Sequence, residues 1–353
     1  MKHTMLVLLM ILWGCTSPLA RTAERPLSIH RAEYLAVDGA KLFLLTRGVD
    51  SREPVLLWLH GGPGGPERPL FRYFNGGLEN YFVVAYLDQR SAGRSFDPKA
   101  DPQRLTVSRH LTNLDVVVDH LRQILGQDKI VLIGHSWGAA LGLLYVQRHP
   151  GKVSALIAVA PLIASRKAQQ AEYNFVSSEA TRRKDQATLA RVQEIGLPPY
   201  ASAERQLAME DLADRYGAVF HNRLCKACVV LKGLLTGLVT PRELFSIHRG
   251  IHASLKAMTP ELLQLDLERA VPRVDVPVFF FLGRHDRHVD STIAAGYFEK
   301  LRAPYKRLVW FEGSAHNVPF EESEVFNATV LKALQSIGVP ARKNLFEGRD
   351  CCP

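Results

Sequence analysis

Short apolar runs recur along the chain at residues 55–59, 82–87, 130–133 and 278–282, each bounded by polar or turn-forming residues. Runs this short without polar alternation predict strands buried on both faces of a sheet. A further strand-like stretch lies at 307–311, and residues 33–37 and 41–46 flank Asp38-Gly39, a hairpin signal. Between the runs the period changes. Leu111, Leu114, Val118, Leu121 and Leu125 are spaced by three or four, as on the buried face of a helix. Residues 139–147 also read as a helix, closed by Pro150-Gly151. Alternating strands and helices predict an α/β architecture, a mostly parallel sheet with helices on both faces.

From residue 165 to 269 the strand-like runs disappear and Ala, Leu, Gln, Glu and Arg dominate. Thr240-Pro241-Arg242-Glu243 forms a capping box with proline at the first helical position. Thr259-Pro260 predicts the start of another helix in the same way. The stretch reads as a helical insertion covering the sheet, after which the alternation resumes at Val276-Pro277. The expected organisation is an α/β core over 25–164 and 271–340, a helical cap over 165–270, and a tail over 341–353. No internal repeat or low-complexity segment interrupts it.

Residues 1–20 read as an export signal: Lys2 and His3 precede nine apolar residues, 5–13, too few to span a bilayer. Leu12-Trp13-Gly14-Cys15 resembles a bacterial lipobox, which implies lipid attachment at Cys15; Thr16 after it fits outer-membrane sorting by that resemblance. Simple cleavage after Ala20 is the alternative. Both predict a protein exported from the cytoplasm, periplasmic or anchored to the outer membrane, touching a membrane only through that anchor.

Composition excludes more than it selects. Apolar residues are 47% and charged residues 22% of the chain, ordinary globular usage that excludes disorder and multiple membrane spans. The net charge of +9 permits nucleic-acid contact. Yet the basic run Arg182-Arg183-Lys184 is followed at once by Asp185, and no DNA-binding signature accompanies it, so no nucleic-acid partner is expected. Five cysteines are too sparse for a disulfide scaffold. Cys225, Cys228, Cys351 and Cys352 are expected to pair outside the cytoplasm or to remain inert thiols; the sequence does not choose among the connectivities.

The chemistry concentrates in three places. Gly134-His135-Ser136-Trp137-Gly138 matches G-x-S-x-G between a strand and a helix, the setting of a nucleophile elbow. Small residues on both sides let the chain turn sharply, raising the Ser136 hydroxyl and aiming the Trp137 N–H where negative charge will develop. Serine needs a base. Asp286 and His316 each follow a strand, and the order Ser136, Asp286, His316 is that of this hydrolase fold. Asp290 is the alternative acid, placed second because Asp286 is nearer the strand end. His285, Asp286, His288 and Asp290 could hold a metal, but that leaves the serine motif unexplained. Hence neither metal nor cofactor is expected. His135 reads as a packed histidine. After the strand at 55–59, four glycines lie between His60 and Pro66, offering backbone N–H donors; Gly62 is the expected second oxyanion donor, with Gly61 the alternative.

His60-Gly61-Gly62-Pro63-Gly64, Asp88-Gln89-Arg90, Gly93-Arg94-Ser95 and the G-x-S-x-G segment together resemble the proline iminopeptidase branch of the α/β-hydrolases. The resemblance covers 33–161 and 271–337. It implies an α/β-hydrolase fold with a helical cap, and a serine aminopeptidase that releases an N-terminal residue, often proline. It also implies that Asp88-Gln89-Arg90 braces the oxyanion loop. Ser91 departs from the glycine usual there. The family's cap glutamates, which bind the substrate ammonium, have no recognisable context here; Glu172, Glu179, Glu204 and Glu210 are candidates by charge alone. The expected reaction is hydrolysis of short peptides with Pro or a small apolar residue first, through an acyl-enzyme on Ser136. An esterase, lactonase or amidase on the same residues is the alternative, and a non-catalytic binding protein the more distant one. Oligomeric state is left open.

Overall fold

The Asp38-Gly39 turn opens the sheet. It joins β1 (Ile29–Val37) to β2 (Ala40–Gly48) in antiparallel register, with Val37 opposite Ala40. Asp38 and Gly39 have φ of 48° and 73°, the left-handed pair that a two-residue hairpin turn requires. In this computed structural model the described residues are 28–221, 231, 233–235 and 237–339. The export segment with Cys15, the other four cysteines and the tail 341–353 lie outside them. Among the described residues no helix is long and apolar enough to cross a membrane.

Six further strands follow: β3 (Val55–Leu59), β4 (Val83–Asp88), β5 (Ile130–His135), β6 (Val153–Val159), β7 (Val278–Gly283) and β8 (Lys306–Phe311). The sheet order is β1-β2-β4-β3-β5-β6-β7-β8, parallel from β4 to β8. The central strands are buried along their whole length, and alternate residues feed different cores. Leu57, Leu59, Leu132 and Phe280 enter one apolar layer, and Leu56, Trp58, Ile133 and Phe281 the other. Burying one such side chain is worth about 1.5–3 kcal/mol, so a run apolar at every position is what a sheet covered on both faces demands.

The helices are α1 (Arg68–Asn75), α2 (Val107–Leu125), α3 (Trp137–Arg148), α4 (Ser165–Arg183), α5 (Gln186–Ile195), α6 (Ala203–Arg215) and α7 (Pro241–Leu262). Others run over Leu267–Ala270, Ser291–Lys300, Val318–Glu321 and Ser323–Gln335. Helices α4 to α6 have a small core of their own around Val176, Tyr200, Met209 and Leu212. The predicted capping box starts α7: Thr240 Oγ1 accepts from Glu243 N, and Glu243 Oε2 from Thr240 N, both at 3.1 Å. Thr259-Pro260 does not start a helix, contrary to the sequence expectation. Pro260 sits in the last turns of α7. There the loss of one N–H is outweighed by continued burial of Leu255, Met258 and Leu262 on one face, and Leu263 N still bonds Thr259 O at 2.9 Å.

A latch joins α7 to the core. Glu243 Oε1 accepts from Arg94 Nε at 2.9 Å and Arg68 at 3.2 Å, while Arg68 Nε also meets Asp88 at 3.2 Å. Burial opposes the Glu243 charge, but the Thr240 amide and the two arginines hold its pKa down to about 2. Helix α7 also touches the glycine loop after β3: a Cβ on Gly64 would stand 2.4 Å from Gly250 O.

Close backbone packing at the start of α3 gives a stability test. A Cβ on Gly138 would lie 2.1 Å from Leu59 O, a backbone atom that cannot step aside cheaply. Gly138→Ala is expected to lower the unfolding free energy by about 1–3 kcal/mol, read as a reduced urea midpoint at constant slope. An unchanged midpoint would show that β3 and α3 are not packed this tightly.

Candidate active site

Strands β3, β5, β7 and β8 all end on the same side, and the loops after them carry His60–Gly65, Ser136, Asp286 and His316. Because β3 and β5 are hydrogen-bonded neighbours, Leu59 opposite Gly134, the glycine loop lies beside the serine turn. Ser136 has φ 54° and ψ −115°, a backbone conformation that few L-residues adopt. It is held by Ser136 N donating to Val159 O at 2.9 Å and by the start of α3 immediately after it. A Cβ on Gly134 would meet Gly138 O at 2.4 Å, so the motif's two glycines are steric requirements of the turn.

Asp286 is wholly buried, and its oxygens accept from three donors: His316 Nδ1 at 2.9 Å, His288 N at 2.9 Å and Val289 N at 3.2 Å. Burial works against its charge, yet the facing His316 and these N–H groups hold its pKa below the ordinary value. Because that carboxylate accepts from Nδ1, Nδ1 carries the proton and Nε2 is the acceptor nitrogen of neutral His316. Burial lowers the His316 pKa, and the neighbouring His135 and His288 act in the same direction against Asp286. The loop carrying His316 is braced from below: Glu322 accepts from Ser314 Oγ at 2.6 Å and Gly313 N at 3.1 Å, and Glu321 from Ala315 N at 2.9 Å. His316 O accepts from His135 Nε2 at 3.0 Å, which ties the loop to the residue next to Ser136.

The other acid considered, Asp290, does different work. At φ 55° it caps the helix Ser291–Lys300, accepting from Thr292 N at 2.9 Å. His285 stacks on His221 at a centroid distance of 3.4 Å instead of joining its neighbours. No cluster of three or more metal-ligating side chains occurs among the described residues.

The glycine loop is fixed by one buried histidine. Gln89 N donates to His60 Nε2 at 3.0 Å, so His60 Nδ1 must carry the proton that it donates to Gly61 O at 2.8 Å. Carbonyl and N–H of one trans peptide point in opposite directions. Turning Gly61 O toward His60 therefore turns Gly62 N–H away from it, on the residue that lines the cavity with Ser136. The Gly62 and Trp137 N–H groups donate to no protein group among the described residues. Gln89 completes the brace: its amide donates to His60 O at 2.8 Å and accepts from Trp137 Nε1 at 3.1 Å, linking the loop to α3. Ser91 has φ 63°, a conformation glycine adopts without strain.

A cavity of about 50 Å³ opens from Ser136 and Gly62 toward the helices above. Glu172 and His288 lie in its wall, with Glu172 Oε1 accepting from His288 Nδ1 at 2.7 Å. Burial opposes the charge on His288, but Glu172 outweighs it and Glu210 adds to it, raising the pKa to about 9. Ser165 Oγ and Thr259 Oγ1, on two residues of the same wall, are buried without a hydrogen-bond partner. The four glutamates named from sequence thus separate. Glu172 lines the cavity, and Glu210 sits close enough to act on His288. Glu204 is exposed in the first turn of α6, its charge engaged by its own amide and Ser202, and does not belong to the cavity. Glu179 pairs with Arg182 and Arg183. Sequence reasoning missed Ser165 and Thr259 as part of the cavity wall, since they carry no spacing signal, and read His288 only as a possible ligand.

The chain has relatives among known proteins. The sequence profile described as the alpha/beta hydrolase fold matches residues 54–323, and the chain belongs to that family. Within it the chain is proline iminopeptidase-like. It is 30% identical over 304 residues to the probable aminopeptidase YbaC of Bacillus subtilis, covering 86% of this chain and 96% of that one. It is 24% identical over 314 residues to the proline iminopeptidase of Saccharolobus solfataricus, covering 86% and 92%. A proline iminopeptidase-related protein of Thermus thermophilus shares the fold at a TM-score of 0.61 and 20% identity, over 88% of this chain and 98% of that one. An esterase of Exiguobacterium antarcticum does so at 0.58 and 20%, over 86% and 100%.

The two aspartates separate by experiment. Asp286→Asn is expected to reduce hydrolysis by about 10³–10⁴-fold through the wrong His316 tautomer, with Asp290→Asn within a few-fold of wild type. The reverse ranking would make Asp290 the acid.

Proposed function

We propose that the protein is a serine aminopeptidase acting on short peptides with a small first residue, proline included. Ser136 Oγ attacks the carbonyl of that residue while His316 Nε2 takes its proton. The Gly62 and Trp137 N–H groups receive the oxyanion. The C–N bond breaks, and His316 returns the proton to the leaving amine. Water, deprotonated by the same imidazole, then hydrolyses the acyl-Ser136 ester. Asp286 holds the tautomer and stabilises the imidazolium. No cofactor takes part.

The observation that carries the aminopeptidase reading is the wall of the cavity opposite Ser136. A substrate ammonium must be met by a carboxylate and further acceptors when water is excluded. Glu172 and Glu210 together set two carboxylates against the one charge of His288, and the Ser165 and Thr259 hydroxyls supply acceptors otherwise unfilled. The small volume favours a small first residue. Export on residues 1–20, with lipid attachment at Cys15, belongs to the same proposal and rests on the sequence alone.

The test compares a prolyl or alanyl arylamide with its N-acetylated form and with a simple aryl ester. The free-amine substrate is expected to turn over, and acetylation to abolish turnover. Glu172→Gln is expected to raise KM for the free amine about tenfold or more, since a charge-assisted contact is lost. Equal turnover of the acetylated compound, or a preference for the ester, would point to an esterase or amidase.

A further inference from the structure

One buried ionisable pair takes no part in the reaction described above. His135, the last residue of β5, has both ring nitrogens on acceptors. Its Nδ1 meets Glu67 Oε1 at 2.7 Å and its Nε2 meets His316 O at 3.0 Å. A carbonyl can only accept, so Nε2 carries a hydrogen; a carboxylate also accepts, so Nδ1 carries one too. The ring is 2% exposed, between Trp58 and Phe320. Glu67 Oε2 is buried without a partner, so the contact of Oε1 with Nδ1 is the carboxyl group's one hydrogen bond. A cation at His135 paired with a Glu67 anion satisfies the geometry.

The position of this pair gives it meaning. Glu67 follows the glycine loop directly, and a Cβ on Gly61 would lie 3.0 Å from Glu67 Oε1 and 3.3 Å from Ser136 Cβ. His135 precedes Ser136, and its ring lies 4.8 Å from that of His316. One imidazole thus touches the oxyanion loop through Glu67, the nucleophile through the chain, and the base through a hydrogen bond and ring contact.

We propose that Glu67 and His135 are positioning residues that lock the three catalytic loops together around a buried cation held beside His316. This rests on the serine-hydrolase reading above. The pair has two effects. The Nε2–His316 O bond fixes the loop that carries the base. The charge on His135 opposes protonation of His316, keeping the base competent toward lower pH. The groups facing His135 are Glu67 and His60 from the loop after β3, Asp286 from that after β7 and His316 from that after β8. Those facing His316 are Asp286, His288 and His135. Burial lowers the His135 pKa while Glu67 and, less strongly, the His316 carbonyl and Asp286 raise it, so removing the carboxylate disfavours the cation.

Glu67→Gln separates charge from geometry. Its amide can still donate to Nδ1, keeping the proton on Nε2 and the tether to His316 O, while the cation is lost. The readout is the rate at which a fluorophosphonate modifies Ser136 as a function of pH. In that step Ser136 Oγ bonds to phosphorus, fluoride leaves and His316 takes the proton, so no natural substrate is needed. Wild type is expected to show an acid inflection below 6.5, the ordinary histidine value. Glu67→Gln is expected to move the inflection up by about half a pH unit or more, whatever its plateau rate. If the variant does not fold, ¹⁵N spectra of histidine rings in wild type, with His135→Gln for assignment, read the charge directly: both ring nitrogens of His135 protonated at pH 7. An inflection unmoved in folded Glu67→Gln, or a neutral His135 ring in wild type, would overturn the proposal. A wild type that is never modified would instead overturn the serine-hydrolase reading on which it rests.

Discussion

The turn at Ser136 is the constraint on which the rest of the site depends. A non-glycine residue at φ 54° and ψ −115° is held there by the strand on one side and the helix on the other. It is tolerable because Gly134 and Gly138 leave no Cβ between β5, α3 and β3, where the closest backbone atom would stand 2.1 Å away. From that fixed point the remaining geometry follows. Helix α3 begins directly after the serine, and the neighbouring strand β3 delivers the glycine loop next to it.

Around this turn the protein spends its buried polar groups on orientation. His60 must accept from Gln89 and therefore donate to Gly61, which sets the peptide plane of the proposed oxyanion donor. Asp286 must accept from His316, which sets the base nitrogen. His135 must donate to the His316 carbonyl and, as the proposed cation, donates to Glu67 as well, which couples the glycine loop to the base. In each case the partner's chemistry dictates where the hydrogen sits. A buried group left without its partner costs about 1–3 kcal/mol, so these networks resist rearrangement. Above them Glu243 on α7 grips Arg68 and Arg94, so the helix that walls the cavity is tied to the segment bracing the loop.

The strands were legible wherever burial on both faces made every position apolar, as in Val-Leu-Leu-Trp-Leu of β3 or Val-Phe-Phe-Phe-Leu of β7. The serine motif, the glycine loop and the acid–histidine order were legible because steric and chemical demands confine them to few residue types. Strand β6, whose Ser154 and Ala residues dilute the apolar run, was not singled out. Pro260 misled because a proline in a final helical turn has the same local sequence as one at a helix start, and only tertiary burial tells them apart. The cavity wall was barely legible at all. Glu172 and Glu204 are both helical glutamates, and what separates them is which face of α4 or α6 turns inward. Glu67 and His135 are 68 positions apart, and nothing local announces their meeting.

The most direct test of the account is covalent. Wild-type protein treated with a fluorophosphonate should gain the mass of one phosphonyl group, mapped by peptide sequencing to Ser136, with no gain in Ser136→Ala and a strongly slowed one in His316→Ala. Folded wild-type protein that gains no mass, or that is modified at a residue other than Ser136, would contradict it.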